Sequence, residues 1–399
     1  VGLLLAFVIA LVLAVTIIIA ITAMPTWFKV VLASSAVVRL LYAWLSLQRN
    51  GVTLDAGFYH LEAKASVVAL QFGIERPAAS VFLGKEGWPI LLEQLYRIVG
   101  PHPFAGLAIN VAAVTLLSVV VYQTSSLLRL TQTARVLASA CALLPQFTLW
   151  SSLLLREAIT WLAIATITYC ALRLTNRAPY PWAGATGLAA SMAVLFSFRA
   201  SVGVALGVSM LLFIVLSRTM TVGIKIAAVV AALFVAPFVL GYLDESKLLD
   251  PERLDMSRAE LSAATTGFST GGGDGLGSQL LTFPVSLLRV LVGPFPWEII
   301  GLGPVAAGEW LFWIILLAPA LAAIHKRPRG AGVLVFVSAA IMIALAFSIT
   351  NYGTLARLRI MALVPLLPLI GIAWDNRRAK RGGQQGTPSD GLARVVNDH

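Results

Sequence analysis

Apolar residues dominate this chain in long blocks, and the polar positions fall between the blocks rather than alternating within them. Runs of roughly 20 apolar residues recur from end to end, each long enough to cross a hydrocarbon core. They predict eleven helices, over 1–23, 30–47, 104–123, 135–150, 157–173, 183–198, 200–217, 226–242, 305–324, 331–350 and 357–374. Two long polar interruptions remain, 48–103 and 243–304. The expected fold is an all-α polytopic transmembrane bundle over 1–374, followed by a disordered basic tail over 375–399. A membrane β-barrel is excluded, because its strands would alternate polar and apolar residues in segments of about ten. The opening run, "VGLLLAFVIALVLAVTIIIAITA", has no basic residues ahead of it and is too long for a signal-peptide core, so it reads as a retained helix.

Composition agrees with the pattern. Of 399 residues, 59% are hydrophobic and 12% charged, about half the charge content of a soluble domain, and the mean hydropathy is +0.88. Cys141 and Cys170 lie within apolar runs as small fillers.

Charge gives the orientation. Alternate connections gather Lys29, Arg129, Arg135, Arg173, Arg177, Arg218, Lys225, Lys326, Arg327, Arg329 and the basic residues of the tail on one side, which carries +12 while the rest of the chain carries −1. Lys and Arg concentrate on the cytoplasmic side of membrane proteins. The net charge of +11 is therefore a topology signal and calls for no nucleic acid. Both long loops then face outward, the C-terminus faces the cytoplasm, and the protein is a multi-pass cell-membrane protein with its chemistry on the external face.

That face collects the ionisable residues. In "NGVTLDAGFYHLEAKA" (50–65), the i, i+4, i+7 spacing aims Asp55, Tyr59 and Glu62 from one helical face, with His60 pointing elsewhere. "LPQFTLWSSLLLREAITWL" (144–162) brings Arg156 and Glu157, "FSFRASVG" (196–203) brings Arg199, and "NYGTLARLRIMALVPLLPL" (351–369) brings Arg357 and Arg359. Arg39 sits near mid-helix in "VVLASSAVVRLLYAWLSL", a depth at which an ionisable group pairs or lines a cavity. Each arginine alone can be a snorkelling or interfacial residue. Together with an early Asp they make a site for a phosphate-bearing substrate, since guanidinium binds phosphate through paired, planar donors. Segment 84–101, "GKEGWPILLEQLYRIVGP", reads as an interfacial amphipathic helix offering Trp88, Leu91, Leu92, Leu95 and Tyr96 to lipid. The second loop holds a short predicted helix over 250–267. Its glycine-rich "FSTGGGDGLGSQ" lacks the GK[ST] ending of a phosphate loop, so it reads as flexible chain or a lid.

These elements are an Asp just past an Arg-bearing helix, an interfacial helix, a "P…WSS…RE" turn and a final helix with Arg before Pro. Together they resemble the GT-C superfamily of polytopic glycosyltransferases, above all bacterial relatives that use polyprenyl-phosphate-linked sugars. The resemblance covers about 30–374. It implies that Asp55 is the catalytic base or, if a divalent cation such as Mg or Mn is used, its ligand, and that Arg357 or Arg359 handles the donor phosphate. The chain departs from the family in an extra leading helix and in a single Asp where many members have Asp-Asp or Asp-Glu. "PQFTLWSSLLLREA" is also similar to membrane polymerases of O-antigen and exopolysaccharide.

The expected function is thus transfer of a sugar from a polyprenyl-phosphate-linked donor to a cell-envelope glycan or lipid acceptor. The catalytic candidates are Asp55 and Glu62. Arg39, Arg156, Arg199, Arg357 and Arg359 are the phosphate ligands, and Tyr59, His60 and Glu157 support them. The alternatives are an O-antigen or exopolysaccharide polymerase and a transporter or flippase of lipid-linked glycans, which would also line a cavity with arginines. The expected orientation has a direct check. Cysteines placed in 48–103 and 243–304 should react with an impermeant reagent added to intact cells, and cysteines in 325–329 should not.

Overall fold

The computed structural model of the chain describes residues 2–52, 54–74, 84–176, 179–217, 220–245, 276–295, 297–298, 304–325, 330–348 and 351–384. Among these residues the structure is helical throughout, with no strand. Eight helices are long and apolar enough to cross a membrane.

The first two are α1 (Gly2–Ile21) and α2 (Thr26–Asn50). Next come α3 (Leu54–Gln71) and α4 (Gly87–Val99), which are not membrane-length apolar helices. Helix α5 (Pro103–Leu127) starts on Pro103, whose missing N–H costs nothing at that position, and His102 Nδ1 caps the Phe104 amide. Thr131 caps α6 (Gln132–Ala140), and its hydroxyl and amide bond the Asp375 carboxylate at 2.6 and 3.0 Å, tying α6 to the C-terminal helix. Then follow α7 (Pro145–Ser151), α8 (Glu157–Thr175), α9 (Pro181–Phe198), α10 (Ala200–Leu216) and α11 (Val222–Glu245). The chain resumes with α12 (Leu276–Val292), α13 (Pro304–Ile324), α14 (Ala331–Ser348), α15 (Tyr352–Leu358), α16 (Ile360–Leu363) and α17 (Leu367–Gln384).

Burial grades from the centre outward. The run from Leu358 to Ala373 is wholly buried, and α5 and α8 are mostly so, which makes these three the core. At the periphery, α1 and α11 expose apolar side chains on most sides; Ile21 is 78% and Phe234 73% exposed. A helix apolar all round with so little protein cover needs a lipid solvent.

The structure corrects four expectations about elements. The segment 135–150 is not one helix. It is α6, a 3₁₀ turn at Cys141–Leu143 and α7, because Pro145 forces Leu144 into an extended conformation (ψ 152°). The polar stretch 243–304 contains α12, whose end is held to the bundle by Trp313 and Trp310, donating to the carbonyls of Leu291 (2.6 Å) and Val292 (2.8 Å). The apolar face of α4 does not meet lipid: Trp88, Leu92, Leu95 and Tyr96 are buried against protein. Instead α3 exposes an apolar face, with Phe58 and Leu61 each about 60% exposed. The last helix begins at Tyr352, is interrupted near Arg359 and by a 3₁₀ turn at Val364–Leu366, and runs on to Gln384. The predicted helix 250–267, most of the glycine-rich run, residues 385–399, and Arg177, Arg218, Lys326, Arg327 and Arg329 lie outside the described residues.

Arg39 explains how the break between α6 and α7 is tolerated at depth. It is 1% exposed and donates to the Ala142 carbonyl at 2.7 Å and to the Thr148 hydroxyl at 3.1 Å. A carbonyl freed from its helix inside a bilayer must find another donor, and Arg39 supplies it. Replacing Arg39 by Met keeps the apolar stem and strands that carbonyl, which should cost about 1–3 kcal/mol. A lower melting temperature in detergent, with a smaller drop for Thr148→Val, is the expected result.

Candidate functional site

Four chain segments far apart in sequence meet at one end of the bundle. They are the start of α3, the turn from Ser152 into α8, the α9–α10 junction, and α15. Each is shaped by local chemistry before any charge is considered.

The turn before α8 is held by its backbone. Asn110 on α5 donates from Nδ2 to the carbonyls of Leu153 (2.8 Å) and Leu155 (2.7 Å), and Trp88 on α4 donates to that of Leu154 (3.2 Å). Three successive carbonyls are thereby fixed, and the next residues are Arg156 and Glu157. Glu157 opens α8, where the helix dipole favours a carboxylate. Arg199 has an extended backbone (φ −158°, ψ 78°) between α9 and α10, with its amide bonded to the Leu195 carbonyl at 2.8 Å. Asn351 caps α15 by accepting from the Thr354 amide at 3.1 Å, which sets the register of Arg357.

Arg357 is the junction of the site. Its Nη1 donates to Asp55 Oδ2 at 3.1 Å, its Nε lies 3.3 Å from Glu157 Oε1, and its guanidinium sits over the Trp150 ring at 5.9 Å. The same Glu157 oxygen is 3.5 Å from Arg199 Nη2. One guanidinium thus links a carboxylate whose side chain is 66% exposed, Asp55, to one that is 2% exposed, Glu157.

Charge in this cluster is unbalanced. Arg156, Arg199 and Glu157 are all buried. Arg156 Nε and Nη1, Arg199 Nε and Glu157 Oε2 make no hydrogen bond. Buried polar groups are nearly always satisfied, and buried charges are paired. Three guanidiniums around one buried carboxylate form a cradle with donors left over and an excess of positive charge. Nearby, burial holds the Tyr59 hydroxyl above its ordinary range, with the surrounding arginines opposing the shift.

Of the residues singled out in the sequence, Asp55, Arg156, Glu157, Arg199 and Arg357 come together here, with Tyr59 on the buried side of α3. The others do not join them. Arg39 serves the α6–α7 break. Arg359 donates to the Gly293 carbonyl and stacks on Trp313 at 5.1 Å, beside α12 and α13. His60 is bonded through Nδ1 to the Tyr96 hydroxyl at 2.8 Å, and burial, then Lys64 and His102, push its pKa down. Glu62 forms no ion pair among the described residues and does not reach the cluster. The periodicity that grouped Asp55 with Glu62 describes one helix face, whereas the cluster is assembled across helices.

Asn110 and Trp150 support the site without having been predicted for it. Asn110 had a signal, an amide inside an apolar run; Trp150 lay in the "LWSS" turn already singled out. Among the described residues no three His, Cys, Asp or Glu side chains gather as metal ligands. The chain matches no family model, no curated protein and no solved structure.

The cluster's dependence on Glu157 is measurable. Glu157→Gln removes the one buried carboxylate among three arginines, and breaking such a network costs about 3–5 kcal/mol. The melting temperature should fall, and millimolar inorganic phosphate should recover part of the loss by occupying the cradle.

Proposed function

We propose that this chain is a membrane glycosyltransferase that moves a sugar from a polyprenyl-phosphate-linked donor to a cell-envelope glycan or lipid acceptor. In this reading the eight long helices, α10, α14 and the broken α6–α7 run make eleven crossings in a GT-C-like arrangement. The charge asymmetry of the connections puts the Asp55 end on the external face and the C-terminus in the cytoplasm.

The observation that carries the reading is Arg357, shared between exposed Asp55 and buried Glu157 beside two arginines with free donors. Outside the cytoplasmic membrane nucleotide sugars are absent, so the donor is carried on lipid and its phosphate lies at headgroup depth. Asp55 supports the role of base: Oδ2 is held by Arg357, which orients the carboxylate, and the side chain faces outward to an acceptor. The acceptor hydroxyl gives its proton to Asp55 while its oxygen bonds the anomeric carbon. The bond from that carbon to the phosphate oxygen breaks, and its electron pair leaves with the phosphate. Arg156, Arg199 and Arg357 stabilise the departing charge in a site of low dielectric. Arg39 and Arg359, bonded to backbone carbonyls, are assigned structural work in this scheme. An O-antigen or exopolysaccharide polymerase would use the same lipid-phosphate chemistry with a longer acceptor.

Asp55→Asn keeps the size of the side chain and removes the base. Turnover of a lipid-linked sugar should fall by about 10²–10⁴-fold, while donor binding persists because the arginines remain. Glu62→Gln should cost far less. A folded Asp55→Asn protein with normal turnover would remove the mechanism and move the polymerase or transporter reading ahead.

A further inference from the structure

The segment Gly84–Gly87 is pressed against the α9–α10 junction. Gly84 adopts a positive φ of 77°. Its amide donates to the Glu86 carboxylate (2.9 Å) and to the Tyr242 hydroxyl (2.8 Å), and its carbonyl accepts from the Ala200 amide at 3.1 Å. The Tyr242 hydroxyl is also 2.9 Å from both oxygens of Glu86, and its ring packs on Phe196 at 5.2 Å. Gly87 lies so close to the end of α9 that a Cβ there would come within 2.8 Å of the Ser197 carbonyl oxygen. Backbone contacts on both sides of Lys85 therefore hold it next to the residue between Ser197 and Ala200 that matters, Arg199.

The lysine is left in an unfavourable place. It interacts electrostatically with Arg156, Arg199 and Arg357, and with Asp55 as the one favourable partner. The adjacent carboxylate, Glu86, is turned to Gly84 and Tyr242. Among the described residues Lys85 makes no hydrogen bond and no ion pair. Its side chain keeps exposed surface, yet crowding by the protein, and then repulsion from the three arginines, push its pKa down to about 8. A fourth cation held against three others, with its neighbouring acid turned away, is balanced when an anion lies among them.

With Lys85 the cluster has four cations against Asp55 and Glu157, an excess of two positive charges. A phosphodiester donor carries one negative charge. The phosphate monoester released from it carries about −1.5 to −2 near neutral pH. We propose that Lys85 is an anion-contacting residue of this site, and that the completed site is matched to a dianionic phosphate, the leaving group, over the monoanionic phosphodiester. This rests on the function proposed above and adds a residue and a charge state to it. A site that binds the departing group more tightly than the donor lowers the barrier and not merely the donor's dissociation constant.

Calorimetric titration of the full chain in lipid nanodiscs with two probes, farnesyl phosphate and its methyl ester, separates the possibilities. The expected result is monoester binding about tenfold or more tighter than diester binding. Lys85→Met should close most of that gap by weakening the monoester alone, and Lys85→Arg should keep it. Equal affinities for the two probes, or a gap unchanged in Lys85→Met, would overturn this inference while leaving the anion site standing. If the unmodified protein binds neither probe, the anion-site reading fails first and this one with it.

Discussion

A charge buried in a low-dielectric interior must be answered within a few ångströms, and the region around Glu157 is organised by that requirement. Its carboxylate is almost wholly removed from solvent, so Arg199 and Arg357 are drawn to it from two different parts of the chain. Those two arginines in turn fix how the α9–α10 junction and the final helical run approach α8. The excess of guanidinium that results is the dominant electrostatic feature of this region.

The supports follow the same logic applied to backbone. At several helix interruptions among the described residues, a side chain from another helix meets the freed carbonyls. Arg39 does this for Ala142, Asn110 for Leu153 and Leu155, Trp88 for Leu154, and Trp310 and Trp313 for the end of α12. The interruptions are what allow short, non-helical pieces such as the turn before α8 to carry Arg156 and Glu157 to one point.

Much of this was legible in the sequence, for physical reasons. Long apolar blocks announce helices of membrane length, and ionisable residues near block ends are rare enough that Asp55, Glu157, Arg199 and Arg357 stood out together. Arg39 and Arg359 stood out equally and proved to bond backbone carbonyls, because a sequence shows where a donor is and not which acceptor a distant helix break has exposed. The face of α4 was misassigned for a related reason. Amphipathicity reports that one side is apolar, and Trp88 and Tyr96 satisfy it as well against protein as against lipid. Pro145 carried the information that 135–150 is broken, but the surrounding hydrophobicity outweighed it. Lys85 had no periodic signal; its position depends on close backbone contacts between segments more than a hundred residues apart.

The sharing of Arg357 between two carboxylates bears on the timing of the proposed reaction. While Asp55 is ionised, it draws part of the guanidinium outward, away from the cradle. In the proposed reaction, protonation of Asp55 by the acceptor would weaken that pull and release Arg357 toward the phosphate at the moment the phosphate gains charge. Proton transfer at the mouth and charge development inside would then be synchronised by a single side chain, without any motion of the helices that carry it.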